Sequence, residues 1–210
     1  MVTMTSDFTA TLAATRLLAI IRGSGGEAAV AAGTALLDEG VRVLEVALTT
    51  PGALDAIAAI RAAAPAGTLV GAGTVLTEAD VADVAAAGAQ FVVTPAVVDS
   101  IGAAARRGLP VAAGALTPTE AYTATRMGAA AVKLFPASLG GPAYLKALRD
   151  PFPHLPLVAV GGVGLAELPG FLAAGAIAAG VGGPLVGDAA SGGDLDALRE
   201  RARAFLAATS

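Results

Sequence analysis

The sequence predicts an α/β protein, a (β/α)₈ TIM barrel carrying one extra helix at its N-terminus. Three observations predict it. Short apolar runs alternate strictly with alanine-rich segments whose polar residues fall at helical spacing, and strict alternation makes a parallel sheet. The alternation repeats eight times in units of about 20–27 residues, which is the count and unit size of a closed barrel. An open doubly wound sheet is the rival, and it wants Gly-x-Gly-x-x-Gly after the first strand. Ile21-Arg22-Gly23-Ser24-Gly25-Gly26 stands there instead.

The expected strands are Leu17–Arg22, Val41–Leu48, Leu69–Thr74, Phe91–Pro95, Val111–Ala115, Ala131–Phe135, Leu157–Gly161 and Ile177–Gly182. Most are apolar on both faces, as parallel strands covered on both sides must be. A helix is expected over Asp7–Ala14, ahead of the first strand. The helices between and after the strands are Glu27–Glu39, Gly52–Ala64, Thr77–Ala87, Asp99–Arg107, Thr119–Met127, Pro142–Leu148, Leu165–Ala174 and Asp194–Leu206. Thr77 before Glu78, Asp99 before Ser100, and Thr117-Pro118-Thr119-Glu120 read as helix starts. Gly40, Gly88, Gly108, Gly128 and Gly175 read as helix ends.

The 210 residues are expected to form one domain, 1–210, large enough to bury a core without disulfides or a structural metal. The chain has no cysteine and one histidine, His154, so a thiol nucleophile and a site built on several imidazoles are both excluded. The net charge of −4 and the scatter of 13 Lys and Arg residues argue against a nucleic-acid partner. Mean hydropathy is +0.73, and the longest uncharged run, Leu168 to Gly187, could span a bilayer by length alone. Six glycines and two prolines in that run favour the end of a helix, a turn and a buried strand. No basic n-region opens the chain, which points to the cytoplasm.

The informative residues are charges inside apolar strands. Glu45 sits in Val43-Leu44-Glu45-Val46-Ala47-Leu48 and Lys133 in Ala130-Ala131-Val132-Lys133-Leu134-Phe135-Pro136. The only other lysine, Lys146, falls in an expected helix at an ordinary solvated position. An ammonium among alanine, valine and leucine must be paired or neutral. Desolvation favours the neutral amine, which attacks carbonyl carbon. A carboxylate from another strand, facing the same barrel mouth, can then move protons. Lysine plus glutamate is thus sufficient for imine chemistry. The alternative is a structural ion pair inside the barrel, although such pairs seldom stabilise more than apolar side chains of equal volume.

Arg22, ending the first strand, is either a ligand for a carboxylate or a solvated group. His154, in Pro151-Phe152-Pro153-His154-Leu155-Pro156, reads as a loop residue without a role. Gly71-Ala72-Gly73-Thr74 offers amides and a hydroxyl to a small anion. Gly161-Gly162 and Gly180-Val181-Gly182-Gly183 end strands seven and eight, where such barrels commonly hold phosphate.

Taken in order, Ile20-Ile21-Arg22, Val43-Leu44-Glu45-Val46, Gly71-Ala72-Gly73-Thr74-Val75-Leu76, Val93-Thr94-Pro95, Val132-Lys133-Leu134-Phe135-Pro136 and Val160-Gly161-Gly162-Val163 resemble the 2-keto-3-deoxy-6-phosphogluconate aldolase family. That family includes the 4-hydroxy-2-oxoglutarate and phosphogalactonate aldolases. The resemblance runs from about Leu18 to Phe205. It implies a class I aldolase with no metal and no organic cofactor, usually a homotrimer, acting on a small 2-keto acid. It implies Lys133 as the Schiff-base lysine and Glu45 as the general acid/base. Thr74, Pro95 and Phe135 match the wall of the pyruvate pocket, and Gly161, Gly162, Gly182 and Gly183 match the phosphate end. The implied reaction splits a 2-keto-3-deoxy sugar acid phosphate into pyruvate and glyceraldehyde 3-phosphate.

Three positions depart from the family. Thr49 stands where some members carry a carboxylate-binding arginine. Pro184 replaces a serine at the phosphate end, and Val160 replaces a threonine before the Gly-Gly pair. These departures bear on substrate choice, and Arg22 is expected to take the carboxylate that Thr49 cannot. Two other readings remain open. A different barrel enzyme for phosphorylated small molecules would have no use for Lys133, and a silent sugar-acid binding protein would form no covalent adduct.

Overall fold

The computed structural model describes residues 4–209, and of residues 4–7 the backbone alone. Eight parallel strands close in sequence order: β1 (Leu17–Ile21), β2 (Val43–Ala47), β3 (Leu69–Gly73), β4 (Val92–Val93), β5 (Val111–Ala115), β6 (Ala131–Leu134), β7 (Leu157–Val160) and β8 (Ala178–Val181). β8 returns to pair with β1, Leu18 opposite Gly180. Helix α1 (Met4–Thr15) precedes the barrel. Helices α2 (Gly26–Asp38), α3 (Ala53–Ala63), α4 (Glu78–Ala86), α5 (Ser100–Arg106), α6 (Pro118–Arg126), α7 (Gly141–Arg149) and α8 (Leu168–Ala173) follow β1 to β7 in turn. After β8 come a short α9 (Gly183–Val186) and α10 (Leu195–Thr209). The fold is the expected (β/α)₈ barrel.

Side chains alternate across a strand with a period of two. The barrel therefore builds two separate apolar layers. Leu17, Ala19, Ile21, Leu44, Val46, Val132 and Leu134 point outward and pack under the helices with Leu36, Ile57, Leu145 and Phe205. Leu18, Ile20, Val43, Phe91, Ala131, Val158 and Ala178 point inward. The same alternation turns Glu45 and Lys133 into the interior.

The interior is closed at the N-terminal end by α1. Phe8 and Leu12 are fully buried in the inner layer, and the Phe8 ring stacks on Phe91 with centroids 4.8 Å apart. Glycine makes the room. A Cβ at Gly71 would lie 2.6 Å from the Phe91 ring, closer than atoms can approach. Deeper along β3, a Cβ at Gly73 would lie 2.8 Å from the Glu45 carboxyl carbon.

The helix starts follow the hydroxyl chemistry. Thr77 and Thr117 each accept from the backbone N–H three residues on, and Asp80 and Glu120 reach back to complete capping boxes. The five glycines expected to end helices all take positive φ, between +73° and +102°. No helix among the described residues is long and apolar enough to cross a membrane.

Several expectations need correction. Strand β4 spans Val92–Val93 only, short of Pro95. Thr94 donates its hydroxyl to Ala96 O at 2.7 Å, and Pro95 has no N–H to offer a ladder. Asp99 does not cap α5: it is already helical, at φ −63° and ψ −25°, and makes no side-chain cap bond. The following Ser100 instead donates to Val75 O at 2.9 Å and ties α5 to the end of β3. Helix α8 starts at Leu168 instead of Leu165, because Glu167 folds back to accept from Gly164 N–H at 3.0 Å. Helix α9 was not expected. Arg22, Thr74, Phe135, Gly161 and Gly182, expected within strands, lie one residue past the strand ends.

Overpacking of a filled core costs about 1–3 kcal/mol. Gly71→Ala should therefore lower the unfolding free energy by that order, read from denaturant titration, because Phe91 is pinned between Phe8 and β3. Gly71→Ala with Phe91→Leu should recover part of the loss. A double variant that is merely the sum of the two single ones would show that the two residues are not in steric contact.

Candidate active site

The strands carry their informative residues to one end. At the C-terminal mouth of the barrel lies a cavity of about 210 Å³. Ile20 and Arg22 reach it from β1, Glu45 from β2, Thr74 from the turn after β3 and Pro95 from the turn after β4. Lys133 and Phe135 reach it from β6. Val160, Gly161, Gly162 and Val163 come from the end of β7, and Gly180, Gly182, Gly183 and Pro184 from the end of β8. Thr49 alone of the expected site residues is off the cavity wall. Its hydroxyl is turned to Arg22, whose Nη1 donates to it at 2.9 Å.

Lys133 is 8% exposed and Glu45 2% exposed. Burial pushes the Lys133 ammonium below its usual value; Glu45 pulls it back up, and Arg22 lowers it further. Its Nζ stands 4.9 Å from the centre of the Phe135 ring, within cation–π range. Burial raises the Glu45 carboxyl from 4.5 to about 6, against the lowering effects of Lys133 and Arg22. Protonated Glu45 is thus the form better tolerated by the fold. Its contribution to stability is whole below pH 4.5 and lost as pH rises through about 6.

The two groups influence each other without touching. Among the described residues no salt bridge joins Lys133 to Glu45, and Glu45 Oε2 is buried with no hydrogen-bond partner. A pair kept for structure alone would close that gap, since an unpaired buried carboxylate oxygen is costly. The arrangement instead leaves an amine and a carboxyl both facing open space.

Backbone strain gathers at the same rim. Thr74 takes φ +61°, a region that β-branched residues rarely enter. Gly161 and Gly162 take +90° and +75°. A Cβ at Gly162 would also lie 2.9 Å from Ser138 Oγ in the loop after β6. Among the described residues no three His, Cys, Asp or Glu side chains gather as a metal site would need. Lys146 is exposed on α7, and His154 is exposed in the turn before β7, at the opposite end of the barrel.

Ser138 was not singled out from the sequence, and Ile20, Val163 and Gly180 stood there only inside longer motifs without a role of their own. Ile20 and Gly180 follow from strand parity once the register is known. Val163 and Ser138 lie in loops whose paths no periodicity records.

The model of the KDPG and KHG aldolases matches residues 8–200. The chain belongs to that family. It is thus an aldolase, a lyase, and its relatives fall on both sides of one substrate question. A probable 2-dehydro-3-deoxy-6-phosphogalactonate aldolase of Rhizobium meliloti (strain 1021) is 40% identical over 194 residues, covering 91% of this chain and 90% of that one. The KHG/KDPG aldolase of Escherichia coli (strain K12) is 38% identical over 180 residues, 84% of each chain. The solved structure of a Legionella pneumophila KDPG aldolase, described as holding pyruvate captured at low pH as a covalent carbinolamine intermediate, superposes with a TM-score of 0.84 at 30% identity. That match covers 93% of this chain and 96% of the other.

The electrostatic coupling in this aldolase has a sign that can be measured. A carbon-13 titration of the Glu45 carboxyl should show a midpoint near pH 6. Lys133→Met removes a charge that favours the carboxylate, so the midpoint should move up. A midpoint that stays or falls would show that the two groups do not sense each other.

Proposed function

We propose that the aldolase acts through a Schiff base at Lys133 on six-carbon 2-keto-3-deoxy acids phosphorylated at the far end. The observation that carries this reading is the pairing at the mouth. A buried amine, biased toward its neutral form, shares one cavity with a carboxyl that titrates near 6, and no ion pair joins them.

The neutral Lys133 Nζ attacks the C2 carbonyl of the substrate, and a proton passes to the oxygen to give a carbinolamine. Loss of water leaves a protonated imine. Glu45, through a water, takes the C4 hydroxyl proton as the C3–C4 bond breaks. The bonding pair flows into the imine to form an enamine, and the aldehyde half departs. Glu45 returns the proton to C3, which becomes the methyl carbon of a pyruvate imine, and water releases pyruvate from Lys133. The Phe135 ring and the walls of Ile20 and Val160 keep the amine dry.

Arg22 takes the substrate carboxylate, since a guanidinium matches two carboxylate oxygens. The backbone amides around Gly161, Gly162, Gly182 and Gly183 serve the phosphate. Pro184 brings neither an N–H nor a hydroxyl to that end and weakens the grip. We also infer a homotrimer, on the family resemblance, and a cytoplasmic location.

Borohydride added with pyruvate should fix one adduct on Lys133, located by peptide mass spectrometry, and Lys133→Arg should abolish both adduct and turnover. An adduct on Lys146 alone, or none, would end the imine reading. Glu45→Gln should lower kcat/KM by about 10²–10⁴. As the base at C4, Glu45 must be ionised, so the wild-type rate should rise with pH through about 6, and the variant should lose that limb. A variant that keeps the limb would assign it to another group.

Activity on the galactonate phosphate as well as the gluconate phosphate is favoured by one specific observation. Val160 lines the cavity and presents no hydroxyl to the sugar carbons. An apolar wall discriminates weakly between hydroxyl epimers. The enzyme should accept both the gluconate and the galactonate phosphates within about tenfold in kcat/KM, near 1.4 kcal/mol, and prefer both to 4-hydroxy-2-oxoglutarate. Preference for 4-hydroxy-2-oxoglutarate would show that Pro184 has closed the phosphate end. A hundredfold epimer bias would show that a residue other than Val160 reads C4.

A further inference from the structure

The assignment of the substrate carboxylate to Arg22 raises the question of what aims an exposed arginine, and the inference drawn here rests on that assignment. Arg22 is held by two neutral hydroxyls. Its Nη1 donates to Thr49 Oγ1 at 2.9 Å and its Nη2 to Thr74 Oγ1 at 3.2 Å. Among the described residues it makes no ion pair. The two threonines stand at the ends of β2 and β3, so the side chain is stretched across two neighbouring strands.

The backbone is fixed in the same way. Gly23 N–H, next along from Arg22, donates to Thr50 Oγ1 at 3.2 Å, and Thr50 is buried. The tandem Thr49-Thr50 thus fastens both the main chain and the side chain at the end of β1. Thr74 presents its hydroxyl from a φ of +61°. Strained backbone of this kind persists only where the surroundings enforce it, and it gathers at functional sites.

A free arginine side chain samples many rotamers, and two bonds to rigid strand ends remove most of them. A guanidinium has five N–H donors. Two bonds to hydroxyls leave three, and a carboxylate needs two. A carboxylate anchor would hold Arg22 more firmly but would cancel its charge, whereas a hydroxyl is neutral.

We propose that Thr49 is a positioning residue: with Thr74, its hydroxyl aims the Arg22 guanidinium at the cavity while leaving the positive charge available to the carboxylate of a 2-keto acid. The uncancelled charge is felt inside the barrel, where Arg22 lowers both the Glu45 and the Lys133 values.

The test compares Thr49→Val, Thr49→Ser, Thr49→Asp and Arg22→Met, with pyruvate as the probe and exchange of its methyl protons in heavy water as the readout. Thr49 is exposed, so none of its variants should disturb the core. Thr49→Val should raise KM for pyruvate about tenfold, with a smaller change in kcat, and Thr49→Ser should restore KM to within about twofold. Thr49→Asp should raise KM at least as much as Thr49→Val, because it grips the arginine and neutralises it. A Thr49→Asp enzyme with wild-type KM would show that anchoring alone matters and would overturn the proposal. So would a Thr49→Val enzyme with wild-type KM, if Arg22→Met still raises KM. If Arg22→Met itself leaves KM unchanged, the carboxylate assignment beneath the proposal fails.

Discussion

An amine and a carboxyl share the interior of one barrel without being allowed to meet, and the rest of the structure depends on that separation. Contact would make a stable ion pair and quench both groups. Distance without a shared dry space would leave each with its ordinary affinity for protons. Here Lys133 and Glu45 are both nearly excluded from water and lie on strands across the interior. Each shifts the other's protonation while both line the one cavity. Burial is the larger influence on both, so the apolar packing of the strands sets the chemistry as much as the charges do.

That packing is achieved by taking atoms away. A barrel of eight strands has just enough interior for its own side chains. Phe91 and Glu45 fit because β3 presents Gly71 and Gly73 beneath them. At β8, a Cβ on Gly180 would lie 2.7 Å from Val160 Cγ2, so the floor of the cavity is kept open by the same device. The alanine- and glycine-rich composition is therefore connected to function. Small residues on some inward positions make volume for a few large or charged ones on others.

The alternation of elements, the closed order of the strands and the inward position of Lys133 and Glu45 were all legible in the sequence, because each rests on a local period or on a charge set in an apolar run. What was not legible was fixed by hydrogen bonds between distant segments. Asp99 carries the composition of a cap, yet the helix is held by Ser100 bonding to Val75 O. Thr49 resembled a lost ligand when read alone, and its partnership with Arg22, 27 residues earlier, needs the barrel to bring β1 and β2 together. The strand ends were overrun by a residue for a related reason. Arg22, Thr74 and Gly161 follow directly on apolar runs with no turn residue between, but the ladder stops where the chain turns to face the cavity.

The stacked rings of Phe8 and Phe91 have a kinetic consequence. They fill the barrel interior below the cavity, so the well lined by Lys133 and Glu45 is reached from the mouth. Under the proposed mechanism the 2-keto acid, both fragments and the water that frees the second fragment would share that mouth. If the keto-acid half is bonded to Lys133 as proposed, the aldehyde half would leave first, and its departure would clear the path for hydrolysis. The covalent bond to Lys133 and the shape of the well would then order traffic together, first out being last in, and in the direction of synthesis the keto acid would be seated before the aldehyde arrives.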